Sequence, residues 1–80
     1  MGVFDMDNLG VHTPEWFDAA FEGMDVSARV RAWSIAFCLK HNIRGQSDPG
    51  YIANVFLGEG GNEILAIERL SRSYQLPKGD

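Results

Sequence analysis

Apolar residues recur at three- and four-residue intervals through most of this chain, and this period predicts amphipathic α-helices. The first helix is predicted to begin at Thr13–Glu15, because threonine caps free amides, proline suits the first helical position and an early acid complements the helix dipole. We expect Gly23 to end it. Its apolar stripe consists of Trp16, Phe17, Ala20, Phe21 and Met24.

A second and longer helix is predicted over residues 26–42, capped by Asp25 or Ser27 and ending before Gly45. It carries two apolar stripes side by side. The first stripe is Val26, Val30, Trp33 and Phe37, and the second is Ala28, Ala32, Ile35, Ala36, Leu39 and Ile43. A helix that is apolar over so much of its circumference is normally buried on several sides. We therefore predict that this second helix is the central one.

Turn-forming residues then separate the second helix from a third, predicted over residues 49–57. Ser47 or Asp48 is expected to cap it, and Gly58 to stop it. Its inward-facing residues are predicted to be Ile52, Val55 and Phe56, and its outward-facing residues Tyr51 and Asn54.

A fourth helix is predicted to follow Gly60 and Gly61, with Asn62 as its cap and Glu63 as its first residue. Its apolar residues are expected to share one face, with Leu65 alongside. These residues are Ile64, Ile67, Leu70 and Tyr74.

The pattern as a whole predicts an all-α fold, a small compact bundle of four helices with an irregular N-terminal arm. We assign residues 1–12 to the arm, residues 13–77 to a single helical domain and residues 78–80 to a frayed tail. Apolar residues of the arm are expected to dock on the body, namely Val3, Phe4, Met6, Leu9 and Val11.

The charge is unevenly distributed along the chain. Residues 1–25 contain six acidic residues and no lysine or arginine, whereas residues 26–80 contain seven basic and five acidic residues. The front segment therefore carries a formal charge of −6 and the remainder +2, which sum to the net −4. An acidic front can contact a basic partner surface or shield the domain's own basic face.

The residues that common catalytic and metal sites require do not occur at suitable spacings. Cys38 is the single cysteine, His12 and His41 lack metal-ligand spacing, and no Walker lysine follows the glycines at 58–61. We expect Cys38 to act as a small buried hydrophobe, and we expect no enzymatic activity, metal or cofactor. A single cysteine without a secretory signal fits a cytoplasmic protein, and no apolar run reaches the roughly 20 residues of a membrane span.

Residues 50–77 resemble part of the helix-turn-helix domains of the lambda-repressor and LacI-like regulators of bacteria and phages. In those families the recognition helix has the form Tyr-Ile-Ser-x-x-Leu-x-Gly or Val-Ser-x-Val-Leu-x-Gly. The residues of this chain that take its place are Tyr51, Ile52, Ala53, Val55, Phe56 and Gly58. The resemblance continues in an Ile-, Ala- and Leu-rich helix that ends at Leu76–Pro77. It implies a small DNA-binding transcriptional regulator whose partner is duplex DNA.

Two phasings of this resemblance remain open. In the first, Gln46, Ser47, Tyr51 and Asn54 approach base edges, and Arg44 and Lys40 contact phosphates. The segment before residue 50 is too short to hold the expected scaffold helix. In the second, residues 49–57 form the scaffold and residues 63–74 form the recognition helix. Arg29 and Arg31 complete the predicted nucleic-acid-binding set in a basic cluster that extends to Arg44.

A second hypothesis belongs to a different class of protein. A small acidic chain without catalytic residues also resembles the anti-defence or anti-CRISPR-like inhibitors by which phages block a host nucleic-acid-binding complex. In this hypothesis Glu15, Asp18, Glu22 and Asp25 take the place of nucleic-acid phosphates against the basic residues of a host protein complex. In either hypothesis the chain could act as a homodimer.

Overall fold

The computed structural model describes residues 10–76. Four helices account for most of this region, and no strand occurs within it. The helices are α1 (Pro14–Ala20), α2 (Ala28–His41), α3 (Asp48–Gly58) and α4 (Glu63–Tyr74). The predicted all-α class with four helices is confirmed. Residues 3–9 of the arm and residues 77–80 lie outside the described region, whereas Val11 is half-buried and packs against the core.

Three of the four helices begin at a side-chain cap. Thr13 Oγ1 accepts a hydrogen bond from the amide of Trp16 at 3.1 Å, and Asn62 Oδ1 accepts from the amide of Leu65 at 3.1 Å. Ser27 rather than Asp25 caps α2, because its Oγ accepts from the amide of Val30 at 3.3 Å. Each cap pairs an amide that has no partner within the helix. Ser47 occupies the cap position of α3 without such a bond.

The central helix is α3, which packs against each of the other three helices. The prediction that the second helix is central was therefore wrong. Small residues allow the close contacts of α3: Ala53 is fully buried, and a Cβ placed on Gly50 would lie 3.0 Å from Sδ of Met24. As predicted, Ile52, Val55 and Phe56 face inward.

The two apolar stripes of α2 are buried to different extents. In the first stripe, Val30 and Phe37 are buried, and the Trp33 ring stacks on Phe56 of α3 with centroids 4.4 Å apart. In the second stripe, Ile43 is buried and Ile35 packs against the core, but Leu39 is 52% exposed. Three alanines of this stripe are also exposed, namely Ala28, Ala32 and Ala36. With only three other helices in the described region, α2 has too few neighbours to cover both stripes.

The buried face of α4 also differs from the prediction. Ala66 and Leu70 are fully buried and Tyr74 is half-buried, so the core-facing residues follow a four-residue interval. Ile64 is 78% exposed and Ile67 is 44% exposed, so neither shares the buried face with Leu70 as the periodicity predicted. The face that α3 contacts is rotated away from these isoleucines.

The turn between α3 and α4 depends on two consecutive glycines. Gly60 and Gly61 have φ angles of 69° and 79°. A side chain is strained at such angles, so glycine is the natural residue at both positions. Glu59 lies at the start of this turn and pairs with Arg69 of α4 at 3.0 Å. The glycine-rich segment is therefore a tight reversal between two packed helices.

Candidate interaction surfaces

The two arginines predicted to contact phosphates from α2 lie on different sides of that helix. Arg29 and Arg31 are two residues apart, which places them about 200° apart around the axis. Arg31 points towards α1, where it forms an ion pair with Asp18 and its guanidinium lies 5.2 Å from the centroid of the Phe21 ring. Arg31 is therefore engaged within the protein.

Arg29 points instead towards the turn between α3 and α4. Its guanidinium lies 5.6 Å from the centroid of Phe56, and a Cβ placed on Gly61 would be 3.7 Å from one of its terminal nitrogens. The side chain thereby covers one edge of the core while its charged end stays exposed. Lys40 lies on the same side of α2 but about 16 Å further along the axis, so these cations do not form one compact cluster.

The other predicted DNA-contacting residues lie at the end of α2, in the α2–α3 loop and on α3. Lys40, Arg44 and Ser47 are exposed at the end of α2 and in the loop that follows. Gln46 Nε2 donates a hydrogen bond to the carbonyl oxygen of Trp16 at 2.9 Å, which ties this loop to α1. Gln46 therefore helps to hold the α2–α3 loop against α1.

On α3, Tyr51 and Asn54 face outward as predicted. The Tyr51 hydroxyl is hydrogen-bonded to Ser73 Oγ at 2.8 Å, and its ring meets that of Tyr74 edge-on at 6.1 Å. Asn54 is exposed on the same helix face. A base-contacting role for Tyr51 would require it to leave its hydrogen bond with Ser73.

The acidic residues of the front segment are displayed on the surface of α1 and the turn that follows. Glu15, Asp18, Glu22 and Asp25 are all exposed, and the first three recur at intervals of three and four residues along one side. We call these four residues the acidic face. Of these four residues, only Asp18 forms an ion pair within residues 10–76, with Arg31. The carboxylates of Glu15, Glu22 and Asp25 form no ion pair within these residues, so their negative charge is not neutralised there.

Sequence reasoning missed two exposed apolar surfaces. One is the outer face of α2, which we define as Ala28, Ala32, Ile35, Ala36 and Leu39; Ile35 is half-buried at the edge of this face and packs against the core, and the other four are exposed. The other lies on α4, where Ile64, Leu65 and Ile67 are exposed. The first could have been suspected, because four short helices cannot bury a helix that is apolar around most of its circumference.

A partly buried hydrogen bond joins α3 and α4 near Cys38, the single cysteine of the sequence. The Tyr74 hydroxyl donates to Asp48 Oδ1 at 2.7 Å, and Cys38 is fully buried nearby on α2. Burial and the neighbouring Asp48 carboxylate raise the pKa of the Cys38 thiol to about 12. The thiol is thus protonated at neutral pH and packs as a small apolar group.

The raised pKa of Cys38 predicts that the folded state loses stability at alkaline pH. The folded pKa of Cys38 lies above the unfolded value of 9.0, so its stabilising contribution is complete below pH 9.0 and is lost as pH rises towards about 12. We expect urea unfolding to report falling stability from pH 8 to pH 10. Cys38→Ala should flatten this decrease although it lowers stability at pH 8. An equally steep decrease in that variant would assign the effect to another group.

The described residues contain neither a metal-binding group nor a membrane-spanning helix. No three His, Cys, Asp or Glu side chains within residues 10–76 are grouped so that they could hold a metal ion. Among the described helices, none combines the length and apolar character needed to cross a bilayer. Comparisons with protein-family models, curated proteins and solved structures found no match to this chain.

Proposed function

We propose that the protein is an acidic interaction protein that binds a basic surface of another protein through the acidic face and thereby competes with nucleic acid for that surface. The observation that carries the proposal is the contrast between the two predicted sets. Three carboxylates of the acidic face, Glu15, Glu22 and Asp25, have no ion-pair partner within the described chain. By contrast, Arg31 and Gln46 of the predicted nucleic-acid-binding set are engaged within the protein.

The spacing of the carboxylates supports charge mimicry. Glu15 and Asp18 lie about 4.5 Å apart along the helix axis, against about 3.4 Å per phosphate along one strand of duplex DNA. The acidic face is thus a sparser version of a phosphate row, held in place by the buried Trp16 and Phe17 on the other side of α1. Complementary charge accelerates association and selects basic partners.

The proposal predicts a charge-reversal phenotype that depends on position. Glu15→Lys with Glu22→Lys should abolish capture of the partner from nuclease-treated cell extract, and added duplex DNA should displace the partner from the wild-type protein. The matched control is Glu63→Lys with Glu68→Lys, because both pairs change the net charge from −4 to 0 and each includes one acid in a first helical turn. The control should retain the partner.

Circular dichroism should show equal helix content in the two variants, so that a loss of binding reports the surface alone. A captured protein that both variants lose would indicate a general charge effect. One that both variants retain would exclude the acidic face. Either result would contradict the proposal.

A DNA-binding regulator is the second candidate, favoured by the arrangement of α3 and α4. These consecutive helices pack together across a turn at residues 59–62, and the small residue Ala53 of α3 is buried. This arrangement corresponds to the second phasing, with α4 as the recognition helix. The exposed Ile64 and Leu65 on α4 argue for a protein contact instead, because DNA interfaces are polar and basic.

Fluorescence anisotropy of labelled duplex DNA separates the two candidates. A DNA-binding regulator should bind at low salt and weaken steeply near about 0.2 M salt, because phosphate contacts release counterions. The acidic interaction protein should bind DNA at neither salt concentration. Salt-sensitive binding that Arg72→Ala weakens would favour the regulator.

A further inference from the structure

The outer face of α2 has the residue pattern of a helix–helix interface. Its residues Ala28, Ala32, Ile35 and Leu39 follow intervals of four, three and four, which is the heptad spacing of a coiled-coil seam. Leu39 is 52% exposed, and Ala28 and Ala32 are exposed as well. Ile35 is half-buried and also packs against the core, whereas the described helices leave the other three residues of this seam exposed.

We infer that this face pairs with the same face of a second copy of the chain, the two α2 helices lying antiparallel about a two-fold axis. In a two-fold interface, residue i contacts residue j and residue j contacts residue i. Alignment about the middle of the seam, between Trp33 and Ser34, places Ala28 opposite Leu39 of the second copy, and Ala32 opposite its Ile35. Each large side chain of the seam thus meets a small one, because the two alanines of the seam come first in the chain and Ile35 and Leu39 follow them.

The charges at the two ends of α2 fit the same alignment. Asp25 lies just before the helix and Lys40 lies in its last turn, and both are exposed. Antiparallel pairing brings Asp25 of each copy close to Lys40 of the other, which forms two equivalent attractive contacts. It also sets the two helix dipoles antiparallel, which is the favourable orientation. A parallel pair would bring like charges together at each end.

The interface is small, since α2 is 14 residues long, and it is below the roughly 1,600 Å² of a standard protein interface. The dimer is therefore weak and depends on concentration. It leaves α1 outside the seam, so Glu15, Asp18 and Glu22 of each copy stay accessible, whereas Asp25 takes part in the dimer contact. The inference does not depend on the proposed function.

Sedimentation equilibrium tests the pairing over protein concentrations that bracket the micromolar region. The wild-type protein should pass from monomer to dimer as its concentration rises. Ala32→Glu should raise the dissociation constant at least about tenfold, because each new carboxylate would be placed against Ile35 of the other copy. The matched control Asn54→Glu adds the same charge at an exposed position on α3 and should leave dimerisation unchanged.

A charge swap tests the antiparallel arrangement itself. Asp25→Lys and Lys40→Asp should each weaken the dimer by up to about fivefold, and the double variant should restore it, because each opposite-charge pair is re-formed. Thermal unfolding of all variants should report an intact fold. A protein that stays monomeric throughout, a dimer that persists in Ala32→Glu, or a double variant no better than the single ones would overturn the inference.

Discussion

Phe56→Ala is expected to remove most of the stability of this protein. Phe56 is fully buried where α2 meets α3, with its ring stacked on Trp33 at 4.4 Å. Truncation removes this burial and leaves a cavity that the surrounding helices fill only in part. Such substitutions cost about 3–5 kcal/mol, whereas a domain of 80 residues has a total free energy of unfolding of about 4–12 kcal/mol at the usual value per residue.

Urea unfolding monitored by circular dichroism measures this loss, and the next residue in the chain provides the control. Leu57 is 47% exposed, so Leu57→Ala removes fewer contacts and is expected to cost at most about 1 kcal/mol. A shift of the midpoint with an unchanged slope would show that the folded and unfolded states are otherwise alike. Similar losses at both positions would contradict the placement of Phe56 in the core.

Leu70→Ala is expected to be the second most damaging change, at about 2–5 kcal/mol. Leu70 is fully buried on the side of α4 that faces the bundle. Ile64 belongs to the same sequence stripe, but it is 78% exposed. Ile64→Ala should therefore leave stability within about 0.5 kcal/mol of the wild type, because alanine has the higher helix propensity and little packing is lost.

The same unfolding experiment distinguishes these two aliphatic residues of one helix. A large loss for Leu70→Ala and almost none for Ile64→Ala would agree with the observed rotation of α4. If Ile64→Ala proved as costly as Leu70→Ala, the periodicity of the sequence would describe the buried face better than the structure does.

Helix positions could be predicted from the sequence because their determinants are local. Thr13 and Asn62 bond amides three residues ahead of them in the chain. The glycines at 60 and 61 adopt positive φ angles that end α3 and allow α4 to turn back. Such effects act over a few residues and leave a direct trace in the sequence. The inward residues of α3 were also predictable, because that helix has one clear apolar side.

The candidate surfaces were predictable only in part. The concentration of acidic residues before residue 26 is visible in the sequence, and the four of them that form the acidic face are exposed. Whether the residues of the predicted nucleic-acid-binding set are available at the surface could not be predicted in the same way. Arg31 pairs with Asp18, 13 residues earlier, and Gln46 bonds to Trp16, 30 residues earlier. Contacts at such separations depend on how the helices meet, which the spacing of residues does not reveal.

Local signals were thus enough for the number of helices, for the caps of α1 and α4, and for the segregation of charge. Tertiary packing decided that α3 rather than α2 is central, that α4 turns Ala66 and Leu70 rather than Ile64 towards the bundle, and that the outer face of α2 stays exposed. The physical reason is that periodicity shows which sides of a helix are apolar. Which of those sides is buried depends on the positions of neighbouring helices, and in a four-helix domain the apolar sides outnumber the neighbours that could cover them.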